Sequence, residues 1–310
     1  MPAPVNQHLR IFTATRADEV PPGITRYIAV DGTVPGFALR YDHHVTGEAI
    51  NLDALPPIVD GTGYDGLCTT QADADAMASM VAVLLGGKTR VPAPALAVLE
   101  SASHWCDHLL PHAAHDADIN RAGRGLLRAF QVALGDHRTP DTSAPMHAFC
   151  HDVAARILAG AALPSAPEDE QSLARARAVL SAGRVSMHGR VALVDLRGTE
   201  RLSTEAIYRA HGGHVGVVYG DHEHGGLRYT VGINPFVDGA PRDVRPALHA
   251  IAAAEFRHGP PVRAPEAVPG NENWGGRAVV FGSPFNHGSR LTPLEVVALV
   301  LEALPELRGG

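Results

Sequence analysis

The stretch RYDHHVTGEAINLD, residues 40–53, places an acid and two adjacent histidines directly after a run of apolar residues. The apolar run predicts a strand over 37–41, which ends at Asp42 and leads into His43 and His44. Carboxylate and imidazole are both ligands of divalent metals. The end of this strand is therefore a candidate metal site, provided that other parts of the chain bring further ligands to it.

Two more predicted strands in the first half of the chain also end at aspartate. The strand predicted over 24–30 stops at Asp31, and the strand predicted over 66–70 runs into Asp73 and Asp75. In open α/β sheets the ligand site lies outside the carboxyl ends of the strands. The sequence therefore predicts that these acids meet the acid and the histidines of the opening stretch at one edge of a sheet.

Each acid alone has a simpler interpretation. An aspartate before a helix commonly caps free backbone N–H groups, which would account for Asp75, and Asp31-Gly32 is a turn signal. Brought together, however, the carboxylates would repel one another unless a cation lay between them. Hard carboxylate oxygens with imidazole suit Mn²⁺, Fe²⁺, Zn²⁺ or Mg²⁺. The combined pattern therefore predicts a metal site.

The pattern of strands and helices predicts the fold class. Strands of the first half alternate with helices predicted over 76–85, where Gly86-Gly87 ends the helix, and over 93–110, 121–134 and 144–160. This alternation is typical of an α/β fold: a mainly parallel sheet with helices on both faces, here followed by a smaller C-terminal α/β domain.

The domain boundary is predicted from composition. Residues 161–170 combine two prolines, small residues and an acidic cluster, as linkers do, and 171–182 predicts a helix that connects the halves. We therefore expect a metal-binding catalytic domain over 1–163, a linker and connecting helix over 164–184, and a substrate-binding domain over 185–310.

The bulk composition excludes several classes of protein. Of the 310 residues, 45% are hydrophobic and 19% charged, so the chain can bury a large core and is not disordered. The net charge of −7 argues against a general nucleic-acid binder. No signal peptide and no membrane-spanning run are recognised, which predicts a cytoplasmic protein that binds no membrane. Three cysteines without paired spacing predict reduced thiols.

Two segments together resemble the DHH phosphoesterase superfamily: YDHH at 41–44 and QADADAMAS at 71–79. That family includes single-strand exonucleases, nanoRNases, cyclic-dinucleotide phosphodiesterases, exopolyphosphatases and manganese pyrophosphatases. The glycine-rich stretch NWGGRAVVFGSP at 273–284 is similar to the substrate loop of the family's second domain, DHHA1. The resemblance implies a two-domain, metal-dependent phosphoesterase.

The sequence departs from the family pattern in two ways. The DHH segment comes before the D-x-D-A segment, whereas the family has it after, so that Asp31 and Asp107 would stand for the family's other two aspartates. The family's leading histidine falls on Thr69, whose hydroxyl is a poor metal ligand. Either one metal position is weaker here, or His104 or His108, spaced i, i+4 on a predicted helix, supplies the imidazole.

The resemblance also implies roles for individual residues. The metal ligands would be Asp31, Asp42, His43, Asp73, Asp75 and Asp107. The catalytic residues would be His44, Asp42 and Asp73, with His44 donating a hydrogen bond to a phosphoryl oxygen. Substrate would be bound by His44, Gly275, Gly276, Arg277, Ser283 and Arg290, since glycine permits close backbone approach and guanidinium matches phosphate geometry. The alternative is a structural loop in which Trp274 fills the core and the arginines are solvated.

The predicted function is hydrolysis of a phosphate ester or anhydride by a metal-activated water. The expected cofactor is a divalent metal, with Mn²⁺ the first candidate, and the expected partner is a small nucleotide or another phosphorylated small molecule. No extended nucleic acid is expected, and a homodimer stays open. Two alternatives remain: a metal-dependent enzyme of different chemistry on the same scaffold, and a non-catalytic binding protein.

Overall fold

A computed structural model describes residues 6–32, 36–135, 141–167, 170–199, 202–222, 225–257, 273–284 and 287–309. The chain divides into two compact units, Met1–Glu168 and Asp169–Gly310. Each unit has its own sheet, and the predicted α/β class is confirmed. The roles predicted for the two halves remain predictions. None of the described helices is long and apolar enough to cross a bilayer.

The sheet of the first unit is parallel throughout. Its four strands lie in the order β1-β4-β2-β3. Three of them were predicted with slightly longer bounds, and β1 was missed. The strands are β1 (Arg10–Thr13), β2 (Tyr27–Val30), β3 (Leu39–Tyr41) and β4 (Gly66–Thr69).

The helices of the first unit are α1 (His43–Thr46), α2 (Asn51–Ala54), α3 (Ala74–Leu84), α4 (Ala93–His108), α5 (Ala117–Leu134) and α6 (Ser143–Ala159), with 3₁₀ turns at Ala17–Glu19 and Lys88–Arg90. Four of them, α3 to α6, lie close to the positions predicted over 76–85, 93–110, 121–134 and 144–160, whereas the short helices α1 and α2 were not predicted. Every residue of α3 is buried, so this helix lies inside the core of the unit. It begins near the carboxyl ends of the strands, because a short connection joins it to the end of β4.

The edge strand β1 is covered by side chains of α6. The Ile11 N–H donates to His147 Nδ1 at 3.1 Å, and the Thr13 N–H donates to Ser143 Oγ at 2.9 Å. An uncovered edge strand would expose unpaired backbone groups to other chains. These side chains therefore satisfy the outer N–H groups of the sheet, and one of the many histidines has a structural role.

The second unit contains a six-stranded sheet in the order β5-β6-β7-β8-β10-β9. Its pairings are antiparallel except between β6 and β7, which α8 connects. The strands are β5 (Val185–His188), β6 (Val191–Asp195), β7 (Val215–Asp221), β8 (Leu227–Ile233), β9 (Gly275–Gly276) and β10 (Val280–Gly282). The helices are α7 (Glu170–Val179), α8 (Thr204–Ala210), α9 (Arg245–Arg257) and α10 (Pro293–Ala303), with helical turns at Leu180–Arg184 and Pro305–Leu307.

Candidate metal centre

The three strands predicted to end near acids are neighbours in the first sheet. Their order is β4-β2-β3, and all run in the same direction. Their carboxyl ends therefore lie along one edge, where β2 leads to Asp31, β3 to Asp42 and β4 to the segment before Asp73. This is the arrangement that the parallel-sheet argument predicted.

Three buried side chains meet at this edge. His43 Nε2 lies 3.1 Å from Asp31 Oδ1 and 3.4 Å from Asp75 Oδ2. One ligand atom from each of the three residues lies within 4.8 Å of the other two, and all three residues are buried. The geometry thus offers two carboxylates and one imidazole to a single ion.

Two further predicted acids lie close to this group. Asp107, on α4, places Oδ2 3.8 Å from His43 Nε2. Asp73 caps α3, since its Oδ1 accepts a hydrogen bond from the Ala76 N–H at 2.9 Å. The pKa of Asp75 is raised well above its usual range, first by burial and then by the negative charges of Asp107, Asp31 and Asp73.

The donor set fits a divalent cation. Three carboxylates lie within 3.8 Å of one imidazole, and the charge of a fourth, Asp73, also acts on Asp75. Because Asp75 is fully buried, the repulsion among these carboxylates is poorly screened by water. A bound cation would remove that repulsion, and hard oxygens with one nitrogen are the ligands that Mn²⁺, Mg²⁺, Fe²⁺ and Zn²⁺ accept. The coarse prediction of a divalent metal site therefore agrees with the structure, and the identity of the metal stays open.

The conformation of Asp31 depends on Thr69. Asp31 has a φ of 52°, which is unusual for a residue other than glycine. The hydroxyl of Thr69, fully buried at the end of β4, donates to the Asp31 carbonyl oxygen at 3.0 Å. The Thr69 side chain thus contacts the backbone of a candidate ligand and is not itself among the potential ligands.

Asn51 contacts two of the candidate ligands and was not predicted from the sequence. It is fully buried at the start of α2 and bonds to both His43 and Asp75. Its side-chain Oδ1 accepts from the His43 N–H at 2.9 Å, and its own N–H donates to the two carboxylate oxygens of Asp75 at 3.0 and 2.9 Å. Asn51 lies eight residues after His43, and neither its residue type nor its spacing singled it out in the sequence.

Other predicted residues lie apart from the group or outside the described atoms. Asp42 is buried but pairs with Arg40, whose Nε donates to Asp42 Oδ2 at 3.0 Å. His44 lies in α1, and its side chain lies outside the described part of the chain.

The two helix histidines considered as metal ligands, His104 and His108, lie close to backbone carbonyls. His104 Nδ1 lies 2.9 Å from the Leu110 oxygen, and His108 Nε2 lies 3.1 Å from the Ala49 oxygen. Within the described residues, neither imidazole belongs to the group of potential metal ligands. His43 is the imidazole of that group.

The predicted substrate residues of the second unit surround a hairpin. Gly275 and Gly276 form the exposed strand β9, and the Arg277 N–H closes the turn to β10 by donating to the Val280 oxygen at 2.7 Å. Ser283 is buried and accepts from the Tyr229 N–H at 2.9 Å, whereas Arg290 is exposed.

Trp274 lies in the core of the second unit. Its ring stacks on Tyr229 at 5.7 Å between centroids, and its Nε1 donates to Glu255 Oε2 at 3.2 Å. The same carboxylate accepts from the Ser289 hydroxyl and the Arg290 N–H. This part of the structural-loop alternative is therefore present. A Cβ at Gly276 would clash with Phe281 Cα, so the hairpin itself requires that glycine, whereas a Cβ at Gly275 would have no atom of the described residues within 4 Å beyond its neighbours in sequence.

The chain was compared with known proteins. No family model matches it, and no curated protein matches it. Among solved structures it is similar to a pGpG-specific phosphodiesterase, PggH from Vibrio cholerae, at 14% identity and a TM-score of 0.40. That match covers 90% of this chain and 99% of the other. A likeness of this size shows neither the family nor the function of this chain.

Proposed function

We propose that this protein is a divalent-metal-dependent hydrolase of phosphate esters or anhydrides in small molecules. The observation that carries the proposal is the buried group of Asp31, His43 and Asp75, with ligand atoms within 4.8 Å of one another. The similarity of YDHH and QADADAMAS to the DHH phosphoesterases supports the choice of reaction, because these are the segments that supply His43 and Asp75.

The residues of the site have separate tasks in this proposal. Asp31, His43 and Asp75 hold the cation, and Asp73 and Asp107 add negative charge beside it. When bound, the cation supplies Lewis-acid chemistry: it lowers the pKa of a water molecule and stabilises charge on phosphoryl oxygens. Thr69 and the α3 N-cap keep the carboxylates in position.

The remaining assigned residues are proposals that rest on the resemblance. His44 would donate to a phosphoryl oxygen, and Asp42 and Asp73 would assist catalysis from the edge of the sheet. Gly275, Gly276, Arg277, Ser283 and Arg290 would bind substrate. We expect Mn²⁺ to be the preferred ion and a small nucleotide or another phosphorylated small molecule to be the substrate.

A metal analysis coupled to a phosphatase assay tests the proposal. After incubation with Mn²⁺ and removal of excess metal, elemental analysis should find about one or two ions per chain. The loaded protein should then cleave at least one of bis(p-nitrophenyl) phosphate, a 5′-phosphorylated dinucleotide or pyrophosphate, and a chelator should stop the reaction. Bound metal without cleavage would favour a different metal-dependent chemistry. Absence of both would contradict the proposal and favour a binding protein.

Arg277→Ala tests the substrate role of the second unit. Loss of one charge-assisted contact, about 1.5–3 kcal/mol, should lower kcat/KM roughly 10- to 100-fold. Mn²⁺ content should not change, because no ligand of the ion is altered. Arg245→Ala, which removes an exposed arginine of the same unit that pairs with Asp243, is the matched control. Unchanged kcat/KM, or loss of the metal, would contradict the assignment.

A further inference from the structure

Asn51 joins two segments that each carry a ligand of the candidate metal site. It lies eight residues after His43 and 24 residues before Asp75, and its side chain and backbone bond to one of them each. His43 begins α1, a helix of only four residues. So short a helix does not hold its own conformation, which makes the bond to the His43 N–H important for where the imidazole lies.

The backbone N–H of Asn51 acts on the other ligand. It is shared between Asp75 Oδ1 at 3.0 Å and Oδ2 at 2.9 Å, so it faces both oxygens of the carboxylate. A donor in this position favours the ionised carboxylate and opposes the raised pKa that burial causes. One buried residue thus contacts both the backbone that carries the imidazole and the carboxylate of the other ligand.

The side-chain bonding of Asn51 differs from that of a structural asparagine in the same unit. Asn6 is equally buried and uses both ends of its amide: Nδ2 donates to the Val59 and Val83 oxygens, and Oδ1 accepts from the Gly61 N–H. Asn51 Nδ2 has no hydrogen-bond partner among the described residues. A buried donor without an acceptor costs roughly 1–3 kcal/mol, so Asn51 is poorly explained as a residue that serves stability alone.

We propose that Asn51 is a positioning residue that presets His43 and Asp75 for the divalent cation. The inference rests on the proposed function, since it concerns the same site. A carboxamide suits the task because it accepts the His43 N–H without adding another negative charge to a cluster that already holds several. Residues that orient metal ligands typically contribute 10- to 100-fold to metal affinity.

The experiment compares Mn²⁺ affinities, measured from the electron paramagnetic resonance signal of free Mn²⁺. Asn51→Leu keeps the approximate volume of the side chain and removes the acceptor, so its Kd should rise roughly 10- to 100-fold. Asn51→Asp retains the acceptor and should bind Mn²⁺ more tightly than Asn51→Leu. If Asn51→Leu does not fold, Asn51→Ser, whose hydroxyl is too short to reach the His43 N–H, replaces it.

Asn6→Leu is the matched control. It makes the same substitution at an equally buried asparagine that bonds near the opposite end of α3, at Val83. This variant should lower the melting temperature and leave the Kd for Mn²⁺ unchanged. At saturating Mn²⁺, the KM of Asn51→Leu should be close to that of wild type, whereas its kcat should stay below that of wild type. The reason is that a misplaced ligand affects the reacting geometry more than it affects substrate binding.

The outcomes separate the inference from the proposed function. If wild type binds Mn²⁺ and Asn51→Leu or Asn51→Ser binds it equally well, the inference is wrong and the proposed function stands. If the Asn51 variants lose affinity while Asn6→Leu does not, the inference is supported. If wild type itself binds no Mn²⁺, both the proposed function and the inference fall.

Discussion

Asp75→Asn is expected to abolish Mn²⁺ binding and to lower kcat by roughly 10³-fold or more, while the metal-free protein stays folded. Asp75 is fully buried and contributes one of the two carboxylates nearest His43 Nε2. An amide nitrogen cannot ligate the cation, and the amide oxygen is a far weaker ligand than a carboxylate. The loss of Mn²⁺ affinity should therefore be larger in Asp75→Asn than in the Asn51 variants, because Asn51 contacts two ligand residues and would not contact the ion itself.

The same substitution should change how the stability of the metal-free protein depends on pH. Burial and the neighbouring carboxylates raise the pKa of Asp75, so the folded state holds this proton more tightly than the unfolded state does. The stabilising effect of the proton is present at low pH and is lost as the pH rises through the folded pKa. Because asparagine imitates the protonated acid, the melting temperature of Asp75→Asn should exceed that of wild type increasingly as the pH rises.

Asp53→Asn is the control for the change of charge. Asp53 is exposed on α2, so its replacement should alter neither Mn²⁺ binding nor the pH dependence of melting. Calorimetry of both variants without metal, together with elemental analysis after Mn²⁺ incubation, checks the two expectations. Near-normal turnover or normal Mn²⁺ content in Asp75→Asn would show that the site is wrongly assigned.

The proximity of Asp31, His43 and Asp75 could be predicted because each lies at or just after the end of a predicted strand. Each strand end could be located from an apolar run followed by an acid, and the rule that parallel strands share a carboxyl edge then grouped Asp31, His43 and Asp75. The pairing of the parallel strands was the one long-range feature that this grouping required. Strand β1 was not predicted, since it has only four residues, Arg10–Thr13. The backbone N–H groups on its outer edge bond to side chains of α6 and not to another strand.

The contacts of Asp42 and Asn51 could not be predicted from strand ends alone. Side chains two residues apart along extended backbone lie on the same side, so Arg40, in the middle of β3, can pair with Asp42, which follows the strand; this contact was not predicted. Asn51 acts partly through its backbone N–H, a group that almost every residue carries. Its partners lie eight and 24 residues away, and no composition or spacing marks such a contact.

The abundance of histidine was a weaker guide than it seemed. The chain has eighteen, and surface or capping roles are as common for this residue type as metal binding. In the structure His147 accepts from the β1 backbone, and His104 and His108 meet backbone carbonyls. An imidazole can both donate and accept, so it also suits the backbone groups that sheets and helices leave unpaired. His211 is a buried example, and its protonation should have a large effect on the stability of the second unit.

His211 should make the second unit sensitive to mild acid. The residue follows α8, is 4% exposed, and its Nδ1 accepts from the Gly213 N–H at 3.3 Å. Burial lowers the pKa of His211 to about 4. The unfolded chain therefore binds this proton more tightly than the folded chain does, so the stability contributed by the neutral ring is present above about pH 6.5 and is lost as the pH falls toward about 4.

His211→Asn isolates this effect, because the asparagine Oδ1 can accept in place of Nδ1 and the side chain cannot become charged. Between about pH 6.5 and pH 4 wild type should lose roughly 3 kcal/mol more unfolding free energy than the variant. Urea unfolding in a Trp105→Phe background checks this, since fluorescence of the remaining Trp274 then reports the second unit. His249→Asn, at an exposed position of α9, should retain the wild-type pH dependence. Parallel curves for wild type and His211→Asn would mean that the ring already carries its proton in the fold, and that burial at the end of α8 does not exclude the charge.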